Sequence, residues 1–215
     1  MMSDGQLDSL AGDSRTELTT ACRRIIDELA SSTAHSAAFE AARELVTQAA
    51  DLLSESNHGR PYEEAEGSLA HFQGHMFHSP LLGLLNPLAP PIAMSFEGTQ
   101  VTGEVTFGAA YEGPPGCVHG GFVAAAFDEV LGFAQGMSGR PGMTARLIVH
   151  YRTPTPLHRV LHFVGDIDHI DGRKIFAKGE LRVADDGRLC AEAEGLFVSM
   201  KPETFQRLMQ DRSES

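Results

Sequence analysis

A chain of 215 residues with 42% hydrophobic and 21% charged side chains has ordinary globular composition and length for one substantial core plus an extension, which excludes disorder throughout. Its 17 Lys and Arg stand against 29 Asp and Glu, a formal charge of -12, and no basic run occurs, so nucleic-acid partners are discounted. The opening "MMSDGQLDSLAGDS" lacks the basic and apolar regions of an export signal, and no apolar run reaches the roughly 18 residues of a membrane span, so a soluble, cytoplasmic protein with no membrane partner is expected.

Residues 16–31 place Leu18, Cys22, Ile25, Ile26 and Leu29 on one helical face, and residues 37–56 repeat the pattern with Phe39, Ala42, Leu45, Val46, Ala49, Leu52 and Leu53. "NHGRP" supplies the stop, so residues 1–60 read as an N-terminal helical extension. Fourteen of the 29 acids but only five of the 17 bases fall in the first hundred residues, so the excess acid belongs mostly to that half. Residues 61–91 are Gly/Pro-punctuated and read as a connector. His71, His75 and His78 within it have the spacing of one helical face, but Gly74 and Ser79-Pro80 interrupt a helix and the triplet contains no acid, so a polar lining is favoured and no metal is expected.

From residue 92 to 201 the pattern changes to strands. "IAMSF" and "QVTGEVTF" form a first pair, and four further strands follow in "MTARLIVHYRTPTPL", "RVLHFVGDIDHI", "RKIFAKGELRVA" and "RLCAEAEGLFVSMK". The "DGR" and "DDGR" links are hairpin signals. Residues 202–215 are a tail. Between the two strand groups lies "YEGPPGCVHGGFVAAAFDEVLGFA", a Gly/Pro loop running into a helix whose apolar residues leave no polar face. An antiparallel sheet wrapped around one long central helix explains such a segment, and the fold class is α+β.

The glycines after His119 allow close approach to the backbone, and the helix that begins there points unpaired N–H groups and positive dipole outward, as an oxyanion site requires. Asp128 in the same helix is costly to bury unless paired, and desolvation would suit it to act as a general base; Glu129 reads as a structural or rim charge. Asp128 lies seven residues beyond Gly121, on the same face but about 10 Å along the axis. One carbonyl group cannot use both, so the spacing predicts two antiparallel copies of the helix in a two-fold dimer with sites at the interface. Cys117, two residues before His119, invites a nucleophile reading, but a small buried thiol is the commoner state. The three cysteines, Cys22, Cys117 and Cys190, lie far apart without CxxC spacing and fit reduced thiols.

The "YEGPPGCVHGGFVAAAFDEVLGF" segment, the "TARLIVHYRTPTPL" strand and the closing "GRKIFAKGELRVADDGRLCAEAEGLFV" hairpin resemble the hotdog-fold acyl-CoA thioesterases, in particular their phenylacetate-pathway (PaaI-like) and THEM4-like branch. The resemblance covers about residues 92–200. It implies thioester hydrolysis to a carboxylic acid and free thiol, with no cofactor beyond the coenzyme A of the substrate and with a homodimer or larger homo-oligomer as the working form. It implies that a backbone N–H of Gly120 or Gly121, Gly120 by preference, polarises the thioester carbonyl, and that His119 shapes the site. Asp128 would activate water or attack directly, and Thr144 would orient that water or carboxylate. The loop before the histidine departs from members that carry Asn or Gln there, offering only Glu112. Phe122 falls where it would bound the acyl group, and Arg146, Arg152, Arg173 and Lys174 are candidates for the phosphates of coenzyme A. A non-catalytic acyl-CoA-binding module of the same fold and a hotdog hydratase or dehydratase are the alternatives. The latter is disfavoured because Asn86-Pro87, the dipeptide it would need before its histidine, lies far from His119.

Overall fold

The computed structural model describes residues 14–56, 79–98, 100–140 and 142–200. The chain divides into two compact units, residues 1–88 and 89–215.

In the first unit, helix α1 spans Ser14–Ser31 and helix α2 spans Ser36–Ser54, close to the periods read from the sequence. Arg23 of α1 donates through Nη2 to the carbonyl oxygens of Gly83 and Asn86, at 2.7 and 3.0 Å. The Ser79 hydroxyl oxygen accepts from the backbone N–H of Leu81 and Leu82, a local bond that favours a turn over a helix. The described part of the connector, residues 79–91, is accordingly a series of turns. The apolar stripe of α2 is not covered: no described residue of this helix is buried, and Leu45 and Leu52 are 67% and 70% exposed.

The second unit holds six antiparallel strands, β1 (Ala93–Glu97), β2 (Gln100–Thr106), β3 (Gly142–Tyr151), β4 (Val160–Asp171), β5 (Lys174–Val183) and β6 (Leu189–Ser199), and helix α3 (Gly120–Gly136). Their order across the sheet is β1-β2-β4-β5-β6-β3. The predicted hairpins form β1–β2, β4–β5 and β5–β6, whereas α3 and β3 are inserted between β2 and β4, sending β3 to the far edge beside β6. Asp171 pairs with Lys174 across a two-residue turn in which Gly172 takes a φ of 55°, the left-handed position that glycine occupies without a Cβ penalty.

Helix α3 lies on one face of this sheet. Val123, Phe127, Val130, Leu131 and Ala134 are buried against Leu161, Phe163, Ile175, Leu181 and Phe197, and Phe127 meets Phe163 edge to face at 5.1 Å. Each of the fully buried Val, Leu, Ile and Phe side chains contributes roughly 1.5–3 kcal/mol. Three glycines let the helix sit this close. Gly165, Gly179 and Gly195 on β4, β5 and β6 each lie where a Cβ would come within 3.3 Å of the Leu131 side chain, so together they form a socket for that leucine.

The expectation of a helix enclosed on every side is corrected within one chain. Ala124, Ala125, Asp128, Glu129, Gly132 and Gly136 are only half-buried, because a six-stranded sheet reaches around one side of a helix and leaves the opposite side open. That open side carries small residues and the acidic pair.

Candidate active site

The loop before α3 is built to hold the helix start in one place. Val118 donates its N–H to Thr155 O at 2.9 Å, His119 donates to Tyr111 O at 2.8 Å, and Leu157 donates to Gly116 O at 3.1 Å. Gly116 turns the chain at a φ of 71°, and a Cβ on Gly113 would meet His119 Cα at 2.8 Å, so both positions demand glycine. Glu112 is occupied structurally: its Oε1 accepts from Gly116 N–H at 2.6 Å. The only polar side chain the sequence offered in place of a loop amide therefore braces the loop itself.

Phe122 extends that bracing. Phe107, Tyr111 and Phe122 form an aromatic row, with centroid separations of 5.3 and 4.9 Å and edge-to-face geometry, and the His119 ring lies 6.4 Å from Phe122. His119 is the N-cap of α3: its Nδ1 accepts from Gly121 N–H at 3.0 Å, satisfying one of the donors that a helix start leaves over. Gly121 N–H is thereby spent. Gly120 is the first helical residue and its N–H has no intrahelical acceptor. Among the described residues it donates no backbone hydrogen bond.

Asp128 lies two turns further on, half-buried on the open side of α3. Thr144 of β3 donates its hydroxyl to Asp128 Oδ1 at 2.9 Å, which fixes the carboxylate and leaves Oδ2 for another donor. The helix rises about 12 Å over the eight residues between Gly120 and Asp128. Within one chain the amide and the acid are thus held by a common rod at a separation no single carbonyl group spans.

Strand β3 supplies a residue that the sequence reading treated only as part of the strand. Tyr151 donates its hydroxyl to Gly120 O at 2.7 Å, and its ring stands 3.3 Å from where a Gly120 Cβ would be. Thr144 and Tyr151 are seven apart and would face opposite ways in a regular strand. A β-bulge between Thr144 and Arg146 adds one residue and turns both toward α3. The same bulge separates Thr144 from Arg146, whose alternation in the sequence puts them on one face. Arg146, Ile148, His150 and Arg152 instead line a groove on the outer face of the sheet, away from the carboxylate.

The four basic candidates are consequently not one cluster. Arg152 is paired with Glu192 at 2.6 Å and also borders a cavity of about 430 Å³ at the start of α3, shared with Cys117, Gly120, Val123, Tyr151 and Pro154. Arg173 donates from Nε and Nη2 to Ser199 O at 3.1 and 2.9 Å in the β4–β5 turn, and Lys174 opens β5. Cys117 is half-buried at the cavity wall, Cys190 is buried, and all three cysteines are unpaired. His71, His75 and His78 lie outside the described residues.

The comparisons agree with this architecture. The thioesterase superfamily family model matches residues 115–190, from the loop before α3 to the beginning of β6. The acyl-coenzyme A thioesterases THEM4 of Xenopus laevis and Bos taurus are 38% identical over 91 residues and 37% identical over 92 residues, which is 42% and 43% of this chain. The matched region spans 41% and 38% of those relatives, about two fifths of their length. A crystal structure of a thioesterase superfamily protein is 37% identical with a TM-score of 0.74, covering 87% of this chain and 96% of its own. A match of that identity over nearly the whole of both chains, on a sheet-and-helix core of the expected order, shows that this chain belongs to the thioesterase superfamily and has its hotdog fold.

Proposed function

We propose that the protein is an acyl-CoA thioesterase that hydrolyses its substrate to a carboxylic acid and free coenzyme A. The observation that carries this reading is the Asp128 carboxylate, held by the Thr144 hydroxyl at 2.9 Å on the open side of the helix whose first N–H, that of Gly120, is unspent. The THEM4 relatives, named as acyl-coenzyme A thioesterases, support it.

Because the amide and the acid of one helix stand too far apart for one carbonyl, the working unit is a homo-oligomer, a dimer at least, in which two copies of α3 run antiparallel. Each site then takes Gly120 from one copy and Asp128 with Thr144 from the other. The thioester carbonyl accepts from Gly120 N–H, and Asp128 removes a proton from water as its oxygen attacks the carbonyl carbon. Negative charge gathers on the former carbonyl oxygen, where the helix N-terminus stabilises it. The carbon–sulfur bond then breaks, and the leaving thiolate takes the proton back from Asp128. The reaction needs no metal or redox cofactor, coenzyme A entering as part of the substrate. The cavity beside Gly120 takes the acyl group, with its Cys117 and Val123 walls in contact with the acyl chain. Cytoplasmic residence is part of the proposal, supported by three unpaired cysteines.

The test is release of free thiol from a panel of short, medium, long and aromatic acyl-CoAs by the wild type and by Asp128→Asn. Loss of general-base function costs roughly 100- to 10,000-fold in rate, so the variant should bind acyl-CoA but barely turn it over. Equal turnover by the two proteins refutes the role of Asp128. Acyl-CoA binding with no turnover by the wild type identifies a binding module instead.

A further inference from the structure

We propose that Tyr151 is a positioning residue for the oxyanion amide, acting by clamping the peptide unit that follows it. This rests on the thioesterase reading above and adds to it the residue that aims the Gly120 N–H.

The peptide between Gly120 and Gly121 is a rigid plane. Its carbonyl oxygen accepts from Tyr151 OH at 2.7 Å, and its N–H donates to His119 Nδ1 at 3.0 Å. Both polar edges of one plane are held, one from strand β3 and the other from the N-cap. The consequence for chemistry lies one peptide earlier. The plane carrying the Gly120 N–H joins the clamped plane at the Gly120 Cα, through two torsions that glycine leaves freer than any other residue. A Cβ at this position would stand 3.3 Å from the Tyr151 ring, a tight contact that a glycine avoids. The same tyrosine that crowds a side chain there restores, through its hydroxyl, the rigidity that a glycine gives up.

Strand β3 carries both supports of the proposed site. Thr144 at one end holds Asp128, and Tyr151 at the other holds the start of α3. The bulge between Thr144 and Arg146 is what brings both to the helix side. In the antiparallel dimer, each β3 would serve both sites, Thr144 supporting the acid of one and Tyr151 the amide of the other.

The test uses Tyr151→Phe in the full chain, which removes one oxygen and keeps the ring. Misaiming an oxyanion donor should lower kcat by roughly 10- to 100-fold, with KM within about twofold because a donor used in the transition state adds little to ground-state binding. In the free protein, the carbonyl ¹³C resonance of Gly120 should move upfield on loss of the hydrogen bond, and Gly121 N–H should exchange faster. A kcat within twofold of wild type overturns the proposal, as does a rise in KM at constant kcat, which marks a substrate contact rather than a positioning role. An unmoved Gly120 carbonyl resonance overturns the clamp itself. A wild type inactive on every acyl-CoA overturns the thioesterase reading and the catalytic role together, while the carbonyl resonance, which needs no substrate, still decides the clamp.

Discussion

Replacing Gly179 with alanine tests the packing that brings helix α3 onto the sheet. The new Cβ would stand 2.7 Å from the Val164 carbonyl oxygen and 3.1 Å from Leu131 Cδ2. Even a weak C–H···O contact keeps carbon and oxygen roughly 3.3 Å apart, and the oxygen belongs to the neighbouring strand, where Val164 pairs with Glu180. The backbone of β4 or β5 must therefore shift by about half an ångström, under a leucine that is itself fully buried. Overpacking of this kind costs about 1–3 kcal/mol. Removing a glycine from a strand interior returns about 0.5–1 kcal/mol, leaving a net loss of at most about 2.5 kcal/mol and, at the centre of both ranges, about 1.3 kcal/mol. For a chain of this size each kcal/mol moves Tm by roughly 2–4 °C, so Gly179→Ala should melt about 3–5 °C below the wild type. Thermal unfolding followed by circular dichroism reads this directly. A Gly179→Ala protein that melts with or above the wild type would refute the socket.

Two further substitutions test the proposed assembly and the surface electrostatics. Gly132 faces the open side of α3 with nothing within 4 Å of its Cβ, so in an isolated chain alanine should stabilise the helix by up to about 1 kcal/mol. If a second copy packs on that side, the added methyl should instead weaken association by about tenfold, roughly 1.4 kcal/mol; unchanged sedimentation with a raised Tm would argue against helix-to-helix dimerisation. Asp168 accepts from Lys178 Nζ at 2.7 Å and pairs with His169 Nδ1 at 2.8 Å, and the lysine first, then the histidine, hold its carboxyl below the ordinary carboxylate range. A depressed carboxyl binds fewer protons folded than unfolded, so its contribution is present above about pH 4 and is lost as pH falls through the lower folded value. Asp168→Asn should flatten the fall in Tm between about pH 4 and pH 2, less so in high salt; an acid limb identical to that of the wild type would show that the pair contributes nothing.

The sequence by itself determined whatever depends on neighbours along the chain. Helix α3 announces itself in the run from Phe122 to Ala134, the hairpins in Gly172 and Gly187, and the bare helix start in His119-Gly120-Gly121. A helical period, a left-handed turn and a bare helix N-terminus are local properties of the backbone. The pairing of Asp128 with Thr144 was legible through resemblance, and the 2.9 Å hydrogen bond gives it a geometry. What only the tertiary structure decided depends on register. The count from Thr144 to Tyr151 predicts opposite faces, and the bulge opposite Phe197 and Leu196 reverses that prediction, moving Tyr151 to the helix and Arg146 away from it. The Leu131 socket arises because pairing aligns Gly165 with Gly179 and brings Gly195 under the same side chain. The open side of α3 follows from how far a six-stranded sheet can curve. Cross-strand register and sheet curvature are sums over many distant pairings, and no stretch of chain short enough to read by periodicity contains them.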